Sequence, residues 1–245
     1  GQAAELVEMI YDKTKTELVW VKNHAENKLF AIGFKTLPDD DTGVFHILEH
    51  SVLCGSEKYP VKEPFVELLK SSMSTFLNAM TFPDKTLYPV SSRNTQDYLN
   101  LTSVYLDAVF APKILSNPNI FRQEGWHYEY DGEHLTYNGV VFNEMKGDMS
   151  SVDGVIEEAV QPLLFPDTAY GYNSGGDPTA IPNLTYEKFI DSYQRHYHPS
   201  NARIYLDGDI PLEETLILLD SYLSRFEVSS ASPAFIFQEP RAAKK

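Results

Sequence analysis

The chain has 245 residues, 20 Lys and Arg against 35 Asp and Glu, a formal net charge of −15 and a hydrophobic content of 42%. That length and apolar share allow one large domain or two small ones with a real core. The acidity excludes nucleic-acid binding, which needs clustered cations. No apolar run approaches the roughly 18 residues needed to cross a bilayer, and the N-terminus lacks a charged-then-apolar leader pattern. The single cysteine, Cys54, permits no internal disulfide. This favours a soluble protein of the cytoplasm or an organelle matrix over a secreted one.

In chain order, Leu6–Tyr11 and Glu17–Val21 read as strands joined by the turn Asp12–Lys15, and Lys28–Phe34 as a third strand. The acidic loop Pro38–Asp41 leads to a helix with Thr42 as its N-cap, which closes at Gly55. Pro64–Ser72 reads as a second helix, followed by strands Ser74–Thr81 and Thr86–Val90 around the turn Pro83-Asp84. Helices are expected over Thr95–Phe110, Asn117–Tyr128 and, as one long element, Gly139–Leu164. Gly171–Pro178 is a glycine-rich loop without phosphate-binding spacing. A helix over Leu184–Tyr197 with Thr185 as N-cap, a strand Ala202–Asp207 and a helix Leu212–Phe226 complete the chain, with Ser229–Pro233 reading as linker. Strands in hairpins rather than strict βαβ alternation predict an α+β fold, a mostly antiparallel sheet flanked by helices.

Within the first helix, His46-Ile47-Leu48-Glu49-His50 has the spacing H-x-x-E-H. Positions i and i+4 lie one above the other on a helix, so His46 and His50 can present two imidazole nitrogens to one metal ion. Glu49 stands beside them, where its carboxylate can take a proton from water. Phe45, Ile47, Leu48, Val52 and Leu53 surround the motif, so the helix is expected to be buried. Buried imidazoles and a buried carboxylate need partners, and a metal supplies them. Cys54, one turn on, reads as a small residue ending the helix rather than as a ligand. A catalytic metal needs a third protein ligand. Glu144 and Glu124 are the candidates, each expected on the inward face of its helix, one to bind the metal and the other to orient a histidine.

Several stretches resemble the pitrilysin/insulinase family of zinc metallopeptidases, and within it the presequence protease and falcilysin branch. They are Asp41–Pro60, Lys62–Leu69, Ser74–Thr81, Leu87–Val90, Val104–Pro112, Gln123–Tyr128, Gly139–Gly147, Ser174–Leu184 and His196–Arg203. The resemblance implies a Zn²⁺ ion on His46, His50 and Glu144, with Glu49 as general base and Glu124 as a supporting glutamate. It also implies that Asn78 and Ala79 belong to an edge strand that pairs with the backbone of an unstructured peptide substrate. An exposed strand edge offers unpaired N–H and C=O groups for that purpose. Members of the family are longer and carry a second half that closes over the first. Residues 1–228 therefore read as a catalytic unit, and 229–245 as a linker toward the C-terminal half of a parent chain. A competing reading is a non-catalytic peptide-binding or scaffold subunit of the same fold, in which the motif is typically degraded. A small-molecule lyase also carries H-x-x-E-H, but lacks the remaining stretches.

Overall fold

The computed structural model describes residues 4–61, 70–230 and 233–240. Its strands are β1 (Glu5–Tyr11), β2 (Thr16–Lys22), β3 (Lys28–Lys35), β4 (Ser74–Leu77), β5 (Met80–Thr81), β6 (Lys85–Ser92), β7 (His127–Tyr130), β8 (Leu135–Asn138) and β9 (Ala202–Asp207). Seven of them form one sheet in the order β1-β2-β9-β3-β6-β4, with β5 also on β6, while β7 and β8 form a separate hairpin. Every pairing is antiparallel except that of β2 with β9. The helices are α1 (Val44–Val52), α2 (Thr95–Phe110), α3 (Pro118–Glu124), α4 (Val140–Asp148), α5 (Val152–Leu164), α6 (Tyr186–His196) and α7 (Leu212–Leu223). The architecture is thus α+β, as the hairpin pattern predicts.

Strand register explains where the core lies. Phe30 is opposite both Val90 and Leu206, Ile32 opposite Tyr88 and Ile204, and Phe34 opposite Thr86 and Ala202. All nine are buried. Alternation puts their neighbours, Arg203 and Tyr205 among them, on the opposite and wetter face. Helices α1 and α2 pack on the buried face. From α2, Tyr98, Leu101, Tyr105 and Val109 face inward at helical spacing. Each side chain so buried contributes about 1.5–3 kcal/mol. Phe34 stacks on Tyr197 at 4.7 Å, and the Tyr88 and Tyr197 hydroxyls meet at 2.7 Å inside this layer.

The structure departs from the sequence expectations in four places. Helix α1 is capped by Gly43, at φ 65°, and not by Thr42, whose hydroxyl instead donates to Asp40 Oδ1 at 2.6 Å. The helix expected over Asn117–Tyr128 stops at Glu124, and the chain then enters the β7–β8 hairpin. The rings of Tyr128 and Tyr137 pack at 5.2 Å, tilted by 31°, with Trp126 edge-on to both, and hold that hairpin together. Gly139–Leu164 is two helices. Ser150 and Ser151 turn their hydroxyls back to the Gly147 and Asp148 carbonyls, and the Ser151 oxygen caps α5 through Gly154 N. Short polar side chains of this kind compete with the helix ladder. The strand expected over Ser74–Thr81 is interrupted at Asn78-Ala79. The helix expected over 64–72 lies for the most part outside the described residues.

Helix α2 begins at Asn94, whose side chain accepts from Asp97 N at 2.9 Å. Asn94→Ala removes this cap, at a cost of about 1 kcal/mol. In a domain of this size the expected fall in Tm is about 2–4 °C. Calorimetry showing no change would mean that the cap does not support the helix.

Candidate active site

Eight of the nine residues of α1 are buried, His46 and Glu49 among them. The helix presents His46, Glu49 and His50 on one face to a cavity of about 930 Å³. The imidazole rings of His46 and His50 lie 5.0 Å apart at 75° to each other. Helix α4 brings Glu144 over the same opening. Its Oε2 stands 3.8 Å from His46 Nε2 and 3.7 Å from His50 Nε2. These separations are too long for hydrogen bonds, so the three groups surround a space rather than close on each other. Among the described residues they form a group whose ligand atoms all lie within 4.8 Å of one another. Such a donor set, two imidazoles and a carboxylate, can hold a divalent metal ion.

The far side of each imidazole is also engaged. His46 Nδ1 lies 2.9 Å from the Gly175 carbonyl, which can only accept, so Nδ1 carries a proton and Nε2 is the nitrogen facing Glu144. His50 Nδ1 lies 3.5 Å from Glu124 Oε2. Burial opposes charge on His50, yet the hydrogen bond with Glu124 and the nearby Glu49, Glu144 and Glu124 charges outweigh it and raise its pKa above the usual histidine range. The Glu124 carboxyl shows the converse. Desolvation acts against its ionised form, but hydrogen bonds from His50, Cys54 and Gln123 keep its pKa below the usual value. Glu124 is 6% exposed, whereas the Glu144 side chain is 54% exposed. The expectation of an inward-facing Glu144 is therefore corrected: it overhangs the cavity mouth from α4, and only Glu124 is enclosed.

Asn78 and Ala79 line the opposite wall with Met80, Thr81 and Phe82. They sit on the outer edge of the large sheet, where β4 gives way to β5. Asn78 N donates to Pro89 O, and the Asn78 carbonyl accepts from the Tyr105 hydroxyl at 3.1 Å. The Asn78 side chain takes up the Ala79 N–H at 2.9 Å. Glu49 lines the cavity floor, and its charge contributes to the raised pKa values of Tyr88, Tyr105 and Tyr197, which burial drives first. The remaining histidines named here take part in local structure. His196 meets Phe45 edge-on and its Nδ1 lies 2.8 Å from Ser192 O; His127 Nδ1 lies 2.8 Å from Arg122 O; His198 accepts from Ser200 N.

Gly175, which sequence reasoning left without a role of its own, sets the orientation of His46. Its loop is tied down by Asp41, which accepts from Asn173 N at its side chain and from Asp177 N at its carbonyl. It also approaches the start of α1 so closely that a Cβ on Gly43 would lie 2.5 Å from Gly175 O. The density of glycines in Gly171–Gly176 was the available signal.

The structure and the residues match the same group of proteins. A family model described as Insulinase (Peptidase family M16) matches residues 30–146, and one described as Peptidase M16 inactive domain matches residues 183–245. The chain is 55% identical over 221 residues to presequence protease 1, chloroplastic/mitochondrial, of Arabidopsis thaliana, covering 89% of this chain and 20% of that one. It is 54% identical over 220 residues to protein HypA of Clostridium perfringens, covering 89% and 23%. Among solved structures, a protease from Helicobacter pylori matches with a TM-score of 0.77 at 17% identity, over 97% of this chain and 55% of that one. Pitrilysin matches with a TM-score of 0.70 at 17% identity, over 97% and 26%. The fold is therefore that of the pitrilysin-like proteases. The chain belongs to peptidase family M16, in its presequence protease branch, and spans about a fifth to a quarter of the length of the curated relatives it matches.

Gly43→Ala tests the close approach of loop and helix. A left-handed φ and an overlap with Gly175 together are expected to cost about 1–3 kcal/mol, read as a lower denaturant midpoint at unchanged m. A midpoint equal to that of the unsubstituted protein would show that the loop yields freely.

Proposed function

We propose that this chain is the catalytic unit of a zinc-dependent endopeptidase acting on short, unstructured peptides. The observation that carries the reading is the facing of Glu144 Oε2 to the Nε2 atoms of both motif histidines at 3.7–3.8 Å, beside Glu49. Ligands about 2.1 Å from a zinc at tetrahedral angles stand about 3.4 Å apart, so His46, His50 and Glu144 would hold the ion with small adjustments. A zinc ion held there would supply Lewis-acid polarisation of a water and of a peptide carbonyl. Glu49, anchored in a buried helix, accepts the proton from the attacking water and returns it to the leaving amine. Gly175 and Glu124 fix the two imidazoles from behind. An extended peptide aligns along the cavity wall at Asn78 and Ala79; both of their N–H groups and the Asn78 carbonyl are engaged within the fold, so pairing draws on the remaining groups of that edge.

The intact motif favours this over a scaffold subunit. We assign the catalytic unit to residues 1–228 and a linker to 229–245. The greater length of the relatives supports a further half of the parent chain as partner, closing over the cavity. Names of the relatives include mitochondrial and chloroplastic proteins, which supports an organelle matrix. No helix among the described residues is long and apolar enough to cross a membrane.

Elemental analysis of the purified protein is expected to give one zinc per chain, lost in His46→Ala and in His50→Ala. Glu144→Gln is expected to weaken zinc more than Glu124→Gln in chelator competition, where loss of the supporting carboxylate costs about 10- to 100-fold. The opposite ranking would make Glu124 the ligand.

Glu49→Gln is expected to retain zinc while hydrolysis of a fluorogenic peptide falls by at least about 10²- to 10⁴-fold, since the amide keeps the shape of the carboxylate but takes no proton. Near-normal turnover by the zinc-loaded variant would remove Glu49 from the mechanism.

A further inference from the structure

Helix α5 presents its faces in reverse. Val152, Val155, Ile156, Val160, Leu163 and Leu164 recur at three- and four-residue steps and form one apolar stripe along it. On a helix packed within its own domain such a stripe faces the core. Here all six are exposed, Val152 at 75% and Leu163 at 66%. The opposite side is the one turned to the protein. Gly154, Glu158 and Gln161 are half-buried and line a second cavity, of about 560 Å³, shared with α4 and the glycine-rich loop. No described side chain of α5 is buried. A helix of 13 residues is marginal in water without tertiary packing, and this one carries Gly154 and Pro162, the two residue types least suited to a helix. Pattern and length both call for a partner on the apolar side.

Two observations indicate what that partner is. The matched region covers only 20% and 24% of the length of two curated relatives. The course of segment 233–240 is the second. Lys35 Nζ donates to Pro233 O at 2.7 Å, and five residues on Gln238 exchanges two hydrogen bonds with Asp167, from its Nε2 to Oδ2 at 2.6 Å and from Asp167 N to its Oε1 at 3.2 Å. Asp167 lies three residues beyond the end of α5, so the segment is fastened beside the stripe. Ile236 and Phe237, next to this anchor in the chain, are exposed as well. Building on the reading of this chain as one part of a longer protein, we propose that the apolar stripe of α5 is the docking surface for the part of the parent chain that follows residue 245. A tether fixed beside its docking surface gives that part a high effective concentration there. Helix α4, which carries Glu144 at the cavity mouth, immediately precedes α5, so a segment seated on the stripe also borders the candidate active site.

The test is amide hydrogen exchange on the 245-residue chain and on the full-length parent, both without peptide. Exchange over Val152–Leu164 is expected to be at least about tenfold slower in the parent, since packing suppresses local opening. Ile156→Glu combined with Leu163→Glu removes the apolar contact while keeping good helix formers. In the parent this pair is expected to return exchange over α5 to the rate of the 245-residue chain. In the 245-residue chain it is expected to leave Tm unchanged, because both side chains are already exposed. Equal exchange in the two chains, or protection in the parent that survives the substitutions, would overturn the proposal. So would protection that appears only when an extended peptide is added, which gives the stripe to substrate. A dimer of the 245-residue chain that the same substitutions dissociate would give it to a second copy, and a fall in Tm of that chain would place the stripe within its own core; either result also overturns the proposal. Failure of the peptidase reading is visible separately, as an absence of hydrolysis by the zinc-loaded parent, and leaves the exchange result standing.

Discussion

The site rests on the burial of α1. A helix with Ile47, Leu48 and Val52 at zero exposure also carries His46 and Glu49 into the interior, where a polar group without a partner costs several kcal/mol. The surroundings of the helix answer that cost for the two imidazoles. The Gly175 carbonyl meets one imidazole, Glu124 approaches the other, and Glu144 arrives from a third helix. Gly43 begins α1 with left-handed backbone because the loop that supplies Gly175 leaves no room for a side chain there. The geometry of the candidate site is thus a by-product of satisfying one buried helix from three directions.

Rigidity follows from where the parts sit. His46, Glu49 and His50 share one helix, Glu124 and Glu144 end or occupy two others, and the Asn78-Ala79 edge is held by β6 beneath and by the Tyr105 hydroxyl. Groups placed on regular elements hold their spacing better than groups placed on loops. The loop Gly171–Pro178, which brings in Gly175, is fastened to Asp41 at Asn173 and at Asp177, and internally by the Asn173 side chain.

The chemistry-bearing spacing was legible in five residues, because i and i+4 on a helix share a face wherever the helix lies. The first hairpin was legible too, from alternation on either side of the turn Asp12–Lys15. The position of Glu144 was not. Its flanking Val141 and Met145 are buried and suggested an inward residue, but the helix lies across the cavity mouth, and only tertiary packing decides that. Gly125 and the pair Asp131-Gly132 carried the signal for the β7–β8 hairpin, an aromatic alternation broken by a turn dipeptide. It was masked by the helical spacing of the residues before it. The Ser150-Ser151 break was equally present in the residues, and the helical pattern continuing on both sides obscured it.

The place of β9 in the sheet has a consequence for how the molecule comes into being. Residues 202–207 lie between β2 and β3, which follow each other closely in the chain but are never direct neighbours in the sheet. Until that late strand is available, the β1–β2 hairpin has no edge to join, and the buried face of β3 lacks its row of Ala202, Ile204 and Leu206. During synthesis the residues before β9 would therefore wait as two unjoined pieces of sheet with exposed edges. Pairings over such a sequence separation form slowly, and exposed edges in the interval invite association with other chains. A late-arriving central strand makes the assembly of this sheet nearly all-or-none, so that the helix carrying His46, Glu49 and His50 acquires its full support only after residues 202–207 have emerged.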